Sequence, residues 1–335
     1  MQHTFRRTTE ATSGGGAETS TPDPLGEDFC GFGTHLICLP FVWHNGVKTP
    51  LSTLGGSNGF AQGMNGRDVV PGSAENTTQD PTCNAPQVLQ PKPVLWEKGK
   101  IQELPTFPGD TVGAAHMIND MGQATGWSGN CAMTPLGFKN FHALLWENGR
   151  AIYLGSLGGS LNTQGLGINN RGQVAGYADL AGDTTYHAFL WQNRTGMIDL
   201  GTLPGDVASG ADGLNSEGQV VGGSWDALGN GRAFIWQDGV MTDLNTLIPP
   251  NSPLYLLEAQ GSINDSGQIA GYALQVSTGE VHAFLATPRK REAAGESAAN
   301  AAPEVPRVTL PDNVRKLLER RAPMGAFKGG LVTPQ

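Results

Sequence analysis

The sequence predicts an all-β fold, a β-propeller, on three observations. Three short motifs recur in a fixed order every 45–54 residues or so, which is the length of a propeller blade. Turn-forming residues stand at constant places in each repeat, and one strand of each repeat is apolar on successive residues. Hydrophobic residues make up 38% of the 335-residue chain, enough for a core, without an apolar run near the roughly 18 residues of a membrane span.

The first motif surrounds a tryptophan. It occurs five times, in steps of 53, 50, 45 and 45 residues, at Trp43, Trp96, Trp146, Trp191 and Trp236. In the copy HAFLW, the residues Ala188 to Trp191 are all apolar, whereas a strand with one exposed face would alternate. We therefore predict a strand covered on both faces, as it would be between two neighbouring blades.

The other two motifs predict the turns and the strand order. Runs such as LGTLPGD follow each tryptophan, and runs such as INNRGQVAG come later. In the latter, Asn169 to Gly172 has the composition of a tight hairpin turn, with Gly172 free to adopt a positive φ. Short ENG, QDG and HNG connections predict a second hairpin. Each repeat then has strands a (GIN), b (GQVAG), c (HAFLW) and d (MIDLG).

The strand count predicts how the ring closes. The chain contains c–d, four complete a–b–c–d sets and a final a–b–c, giving 21 strands. Five four-stranded blades need about 20 strands and six need about 24. We predict five blades, with the last one completed by the d strand at 47–54, so that the two chain ends share a blade. Six blades are less favoured, because they need strands within residues 1–33, for which we predict disorder.

The repeats HALLW, HAFLW and HAFLA, followed by LGTLGG-like and INNxGQVVG-like runs, resemble the bacterial HAF repeats, a family named after His-Ala-Phe. The resemblance covers residues 36–288. It implies the repeat architecture and an extracellular or cell-surface location, and it implies no activity, cofactor or catalytic residue. The first unit departs most, because CLPFVW lacks His-Ala-Phe and MNGRDVVPG lacks the Gly-Gln pair.

The propeller is predicted to span 34–288, followed by a flexible tail at 289–335. The tail opens with a small, polar linker, GESAANAAPEVP, and continues with a short amphipathic helix at about 312–322. Val314, Leu317 and Leu318 share one face of that helix. Because three turns are marginal alone in water, we expect the helix to dock, either on the propeller or on a partner.

Charge and terminal sequence limit the partners. The net charge is −9, and residues 30–287 carry 10 basic and 20 acidic side chains, so we expect no nucleic-acid partner. The opening run MQHTFRRTTEATSGGG has no apolar segment behind its arginine pair, so this sequence predicts no signal peptide and no transmembrane segment. The expected location follows from the resemblance alone.

Four cysteines are present without a C-x-x-C pair, which leaves zinc and thioredoxin chemistry unsupported. Cys83 and Cys131 fall in the b–c loops of successive repeats, which neighbouring blades bring side by side, so we predict a disulfide between them. Cys30 and Cys38 would form the second pair. The alternative is four free thiols in a reducing compartment.

The polar repeat residues are predicted to be structural. His142, His187 and His282 share one repeat position with Lys92 and Arg232, so we expect strand-start residues; the alternative is a ring of cations that binds anions. Turn chemistry also accounts for the Asn-Asp runs, which otherwise suggest calcium ligands. No nucleotide-binding glycine loop or nucleophile elbow is present. We predict no catalytic residue, no cofactor and no metal site.

The turns differ between the two sides of the ring. The a–b and c–d turns are short, whereas the b–c and d–a connections are long and carry three aromatic residues outside the repeats, Trp127, Trp225 and Tyr255. We predict a ligand face there for a carbohydrate or a protein; the alternative is that these rings plug the structure. The predicted function is a non-catalytic binding or scaffold propeller of unknown ligand, and the alternative is a carbohydrate-active hydrolase or lyase.

Overall fold

The structure, a computed structural model, describes residues 12–131, 133–134, 137–138, 141–260, 263–288 and 308–315. Within these residues, six antiparallel sheets of three or four strands follow one another along the chain. Helical structure in this part is limited to a 3-10 turn at Leu244–Thr246 and one turn at 312–315. The predicted all-β propeller fold is thus confirmed.

The sheets are formed by strands that are consecutive in sequence. Sheet 1 contains β1 (Thr12–Pro22), β2 (Leu36–His44) and β3 (Val47–Pro50). Sheet 2 contains β4 (Gly59–Ala61), β5 (Val70–Gln79), β6 (Leu89–Glu97) and β7 (Lys100–Glu103). The next segments are β8 (Val112–Ile118), β9 (Ala124–Gly129), β10 (Met133–Thr134), β11 (Gly137–Phe138), β12 (His142–Glu147) and β13 (Arg150–Tyr153). Of these, β8, β9, β12 and β13 form sheet 3, and β10 pairs with β11 as a separate hairpin.

The remaining three sheets repeat the pattern. Sheet 4 contains β14 (Gly158–Ile168), β15 (Val174–Leu180), β16 (Tyr186–Gln192) and β17 (Gly196–Asp199). Sheet 5 contains β18 (Ala208–Leu214), β19 (Val220–Trp225), β20 (Gly231–Gln237) and β21 (Val240–Asp243). Sheet 6 contains β22 (Leu254–Glu258), β23 (Ile269–Gln275) and β24 (Glu280–Ala286).

The third strand of a repeat is buried on both faces, as its unbroken apolar run predicts. In sheet 4, Phe189 and Trp191 pack in one cluster with Leu145 of sheet 3. Ala188 and Leu190 point the other way and pack against sheet 5. The core is therefore a series of layers between neighbouring sheets, and every internal sheet contributes to two of them.

A repeated asparagine builds the turn between the first two strands. Asn169 Oδ1 accepts hydrogen bonds from the backbone N–H groups of Arg171 (3.0 Å) and Gln173 (3.1 Å), and Asn169 Nδ2 donates to Gln173 Oε1 (2.7 Å). Gly172 has a φ of +73°, as the turn composition predicts. The same asparagine–glutamine contact recurs in three other turns, at Asn119–Gln123, Asn215–Gln219 and Asn264–Gln268.

The same asparagines also join neighbouring sheets. Each Nδ2 donates to the backbone carbonyl of the equivalent asparagine in the next sheet, from Asn65 to Asn119 (2.9 Å), Asn119 to Asn169 (2.9 Å), Asn169 to Asn215 (3.0 Å) and Asn215 to Asn264 (3.3 Å). We call these five residues the asparagine ladder. Among the described residues, no such bond continues from Asn264 back to Asn65, so the ladder runs from sheet 2 to sheet 6 and is not closed.

The predicted closure by a shared blade is wrong. β3 pairs with β2, with Lys48 opposite Trp43, and not with sheet 6. A strand that the sequence did not predict, β1, pairs with the other edge of β2, with Gly15 opposite Phe41. The N-terminal c–d strands therefore form a sheet with β1, and six sheets of three or four strands are present among the described residues, where we predicted five blades.

β1 lies within residues 1–33, where we predicted disorder. Its sequence, TSGGGAETSTP, lacks apolar alternation because aromatic rings occupy the space that its side chains would fill. A Cβ at Gly15 would lie 2.9 Å from the Phe41 ring, and a Cβ at Gly16 would lie 2.4 Å from the Phe60 ring. Glycine is therefore required where the sequence looked least like a strand. Residues 1–11 lie outside the described residues.

The C-terminal segment 308–315 packs back onto the propeller. Leu310 and Val314 are buried in a cluster with Tyr255 and Leu274 of sheet 6, and Leu310 N–H donates to Asn230 Oδ1 (2.9 Å). We expected the tail helix to dock either on the propeller or on a partner, and this segment docks on the propeller. The linker and the remainder of the predicted helix, 289–307 and 316–322, lie outside the described residues.

The N-terminal connection is held to sheet 2 by buried polar groups. Gln87 Nε2 donates to Glu27 Oε1 (2.9 Å) and to Glu75 Oε1 (2.8 Å). Asn58 Nδ2 donates to Glu75 Oε2 and to Asp23 Oδ2, both at 2.9 Å. Burial, ahead of the charge of Glu27, raises the pKa of Glu75 to about 7. We call Asp23, Glu27 and Glu75 the N-terminal acid cluster.

Both cysteine pairs expected from the sequence are bonded in the structure, Cys30 to Cys38 and Cys83 to Cys131. The second bond joins the loop after β5 in sheet 2 to the loop after β9 in sheet 3. The first joins the connection between β1 and β2 to β2 itself, where Cys38 N–H also donates to Asn58 Oδ1.

We expect non-reducing peptide mapping of the native protein to find these two pairs, and the double variant Cys83→Ser, Cys131→Ser to be the less stable of the two pair deletions. The bonded residues are 48 apart in that pair and 8 apart in the other. Chain entropy then predicts that the free energy of unfolding falls by about 4 kcal/mol without the Cys83–Cys131 bond and by about 2.5 kcal/mol without the Cys30–Cys38 bond. Urea denaturation measures both losses. Four alkylatable thiols in the native protein would contradict the pairing.

Candidate functional site

The three aromatic residues predicted to form a ligand face do not form one exposed surface. Trp225 and Tyr255 are only 5% and 4% exposed, and half-buried Trp127 lies 4.0 Å from the Phe141 ring. Tyr255 packs under the C-terminal segment. The Trp225 ring covers two glycines. A Cβ added at Gly223 would lie 2.6 Å from the ring, and one added at Gly231 would lie 2.7 Å from it. Their positions fit the alternative, in which the rings fill space between strands.

Three of the strand-start residues, His142, His187 and Arg232, lie beside acidic partners, which fits the structural interpretation. His142 Nδ1 lies 2.9 Å from Asp110 Oδ2, and His187 Nδ1 lies 2.9 Å from Asp199 Oδ1. Arg232 contacts two acidic residues, Asp206 (2.8 Å) and Asp243 (3.1 Å). Each of these three side chains is therefore held by its own sheet or by an adjoining connection.

The Asn-Asp turns use their acidic side chains to join sheets. Asp120 Oδ1 accepts from Gly66 N–H (2.6 Å), and Asp265 Oδ1 accepts from Ser216 N–H (2.9 Å). Over the described ranges, no group of three or more His, Cys, Asp or Glu side chains is placed to hold a metal ion. The same ranges contain no helix long and apolar enough to cross a membrane.

A different group of residues stands out at the centre of the propeller. The first strands of neighbouring sheets contact one another, β8 with β14 and β14 with β18, so these strands are innermost. Each of the three contains a β-bulge, and the extra residues are His116, Leu166 and Asp212. Bulges re-aim side chains, so this position is where one repeat can differ functionally from the next.

Asp212 forms a buried acidic pair with Glu258, the last residue of β22. The two side chains are 8% and 7% exposed. Asp212 Oδ2 is buried and has no hydrogen-bond partner within the described structure. Burial, with the charge of Glu258, raises the pKa of Asp212 well above its ordinary value, and burial raises the pKa of Glu258 to about 7. The pair therefore holds at least one proton at neutral pH.

Two tyrosines and a tryptophan adjoin the acidic pair. The ring centroids of Tyr177 and Tyr186 are 5.5 Å apart, and that of Trp225 lies 6.2 Å from Tyr186. Burial is the main cause that raises the pKa of Tyr186, and the charges of Glu258, Asp179 and Asp212 add to it. Tyr177 is buried and Tyr186 is half-buried, so Tyr186 is the more exposed of the two. We call Asp212, Glu258, Tyr177, Tyr186 and Trp225 the acid–tyrosine site.

His116, at the bulge of β8, does not belong to this site. Burial lowers the pKa of His116 to about 4, so its ring is neutral, and its Nδ1–H donates to the carbonyl of Gly165 (3.2 Å) in sheet 4. This residue joins two sheets. The bulge residue of sheet 3, His116, thus has a structural role, whereas that of sheet 5, Asp212, has a carboxyl oxygen without a partner in the described structure.

Sequence reasoning missed the acid–tyrosine site, apart from Trp225. The available signal was an aspartate three residues before the ladder asparagine, where the two preceding repeats have His116 and Leu166. Glu258 has no equivalent signal, because it ends a strand that departs from the repeat pattern. Alignment of the repeats on tryptophan and asparagine does not draw attention to either acid.

No family model and no curated protein matches the sequence. Among solved structures, the chain is similar to the β-propeller domain of the Trilobed protease from Pyrococcus furiosus, with 13% identity and a TM-score of 0.40 over 64% of this chain and 60% of that one. It is also similar to the acylaminoacyl peptidase of Pyrococcus horikoshii, with 11% identity and a TM-score of 0.43 over 74% of this chain and 39% of that one. A gluconolactonase from Xanthomonas campestris has 10% identity and a TM-score of 0.37 over 73% of this chain and 75% of that one. The chain thus spans 60% and 39% of the two peptidase chains. These are likenesses of fold alone.

Proposed function

We propose that the protein is an exported or cell-surface propeller that binds a ligand, without catalysis, at the acid–tyrosine site. The observation that carries this proposal is the pair Asp212 and Glu258, buried without a hydrogen-bonding partner for Asp212 Oδ2. Buried polar groups are nearly always satisfied, because an unsatisfied one costs about 1–3 kcal/mol. A carboxyl that the chain itself leaves unsatisfied favours a partner supplied by a ligand.

The proposed location is supported by the cysteines. Two disulfides are compatible with an oxidising compartment and are rare in the cytosol. The resemblance to the HAF repeats suggests the same location. The proposal for the location does not depend on the proposal for the site, and either can fail without the other.

A carbohydrate-active hydrolase or lyase is the second candidate. The observation that favours it is the pKa of about 7 for Glu258, since a buried carboxyl that is protonated near neutral pH is suited to act as a general acid. Asp212, from the neighbouring sheet, would be the second carboxyl that such chemistry requires. Binding without cleavage and binding with cleavage are separated by experiment.

A screen of the full chain on a glycan array and a polysaccharide panel, scoring retention and cleavage, tests both functions. We expect retention without cleavage, weakened at least ~10-fold by Asp212→Asn or Glu258→Gln, since one lost charged hydrogen bond is worth that much. Glu217→Gln, an exposed carboxyl on the short-turn face, is the matched control. Cleavage lost in both variants would establish the enzyme instead. Retention that neither Asp212→Asn nor Glu258→Gln weakens would mean that the ligand binds outside the acid–tyrosine site.

A further inference from the structure

We propose that the ligand of the acid–tyrosine site carries a cationic group, an amine or quaternary ammonium, bound by Asp212 and Glu258 beside the rings of Tyr186 and Trp225. This inference rests on the proposed function and names the ligand class. Nothing else in the described structure neutralises this pair: the charged groups that act on Asp212, Glu258 and the two tyrosines are all acidic.

Two other buried acids, Asp206 and Asp110, have basic and hydroxyl partners. Asp206, whose side chain is fully buried, is paired with Arg232 and accepts from Ser224 Oγ (2.8 Å). Asp110 has the equivalent partners in sheet 3, His142 and Ser128. No such partner reaches Asp212 Oδ2 within the described structure.

The N-terminal acid cluster provides a second contrast. Its carboxyls also lack a cation among the described residues, but amide groups of Asn58 and Gln87 and backbone N–H groups donate to them. Those bonds tie the cluster to the fold, and Glu27 Oε2 is its one oxygen that is buried without a hydrogen-bond partner in the described structure. At the acid–tyrosine site no donor reaches Asp212 Oδ2 within the described structure, so this oxygen is open to a donor from a ligand.

The surroundings of the pair suit a cation. Gly210 occupies the strand position that Gln164 has in sheet 4 and Glu258 has in sheet 6. An added Cβ at Gly210 would lie 3.7 Å from the Trp225 ring and 3.9 Å from Tyr177 Cβ, which is ordinary contact. Glycine thus leaves room for an added Cβ beside the Trp225 ring. Aromatic faces attract ammonium groups, most strongly when water is excluded.

A cation and a neutral ligand differ in proton linkage. An ammonium group favours the ionised carboxyls, so its binding releases the proton that the pair shares, and its affinity rises with pH through the range in which Glu258 titrates. The groups facing the pair are Tyr177, Tyr186 and Asp179 of sheet 4, none of which supplies positive charge. A neutral sugar would need no such release.

Isothermal titration of the full chain with choline and with spermidine tests the inference, and 3,3-dimethyl-1-butanol is the uncharged isostere of choline. We expect a cation to bind at least ~10-fold more tightly than the isostere, with affinity rising between about pH 6 and about pH 8 and an enthalpy that depends on the buffer. Asp212→Asn and Glu258→Gln should each remove at least ~10-fold of that affinity, and Glu258→Gln most of the proton release, with Glu217→Gln unchanged.

Three results would overturn the inference: no saturable binding of either cation up to about 10 mM, equal affinity for the isostere, or binding untouched by both variants. The outcome is separable from that of the proposed function. If Asp212→Asn abolishes binding of a glycan found in the screen while no cation binds, the proposed binding site is supported and the proposed ligand class is wrong. If neither variant affects any ligand, both proposals are wrong.

Discussion

Asn169→Ala is expected to lower the free energy of unfolding by about 3 kcal/mol, a large effect for one substitution. The side chain is buried, and its amide group takes part in two structures at once. Its Oδ1 accepts two backbone N–H groups of its own turn, and its Nδ2 donates to the Asn215 carbonyl of the next sheet. Alanine would leave these backbone groups of a partly buried turn without their side-chain partners.

The adjacent Asn170 is the matched control for this prediction. It has the same side chain, is exposed, and its Nδ2 contacts Asp120 Oδ2 at 3.1 Å on the surface. Asn170→Ala should cost less than about 1 kcal/mol. Urea denaturation of the two variants gives the comparison. Equal losses for both would show that the asparagine ladder does not hold the sheets together.

Much of the fold follows from local sequence. All 21 strands predicted from the repeats are present, because tight turns and buried strands are specified by residues a few positions apart. The asparagine of each turn was also predicted, although only as turn chemistry. Its second role, the bond to the next sheet, joins residues 46 to 54 positions apart and leaves no local pattern.

The parts that the sequence did not predict depend on distant contacts. β1 is rich in glycine because Phe41 and Phe60 occupy its side-chain space, so its strand character becomes visible only once its neighbours are placed. The acid–tyrosine site combines Tyr177 with Glu258, from sheets 4 and 6, and a bulge directs Asp212 toward them. A bulge is one extra residue, and no composition rule distinguishes it from an ordinary strand position.

The unfolding temperature is expected to fall as the pH rises from about 5 to about 7.5, because several buried carboxyls are protonated in the folded protein. Burial raises the pKa of Glu75 to about 7 from an ordinary value of 4.5, and the pKa values of Asp179 and Glu258 are also raised to about 7. Between the ordinary and the folded pKa, the folded state holds a proton that the unfolded chain has lost. Stability is therefore greatest below that range and declines through it.

Glu75→Gln isolates one of these protons. The amide keeps the size of the side chain and cannot ionise beside Glu27 and Asp23, so the variant should lose about 1.4 kcal/mol less per pH unit than the wild type across this range. Above about pH 7.5 it should be the more stable protein. Urea denaturation at intervals of pH measures both slopes, and exposed Glu217→Gln should retain the wild-type slope. A slope for Glu75→Gln identical to that of the wild type would mean that Glu75 is ionised in the folded protein throughout, stabilised by the amide groups of Asn58 and Gln87.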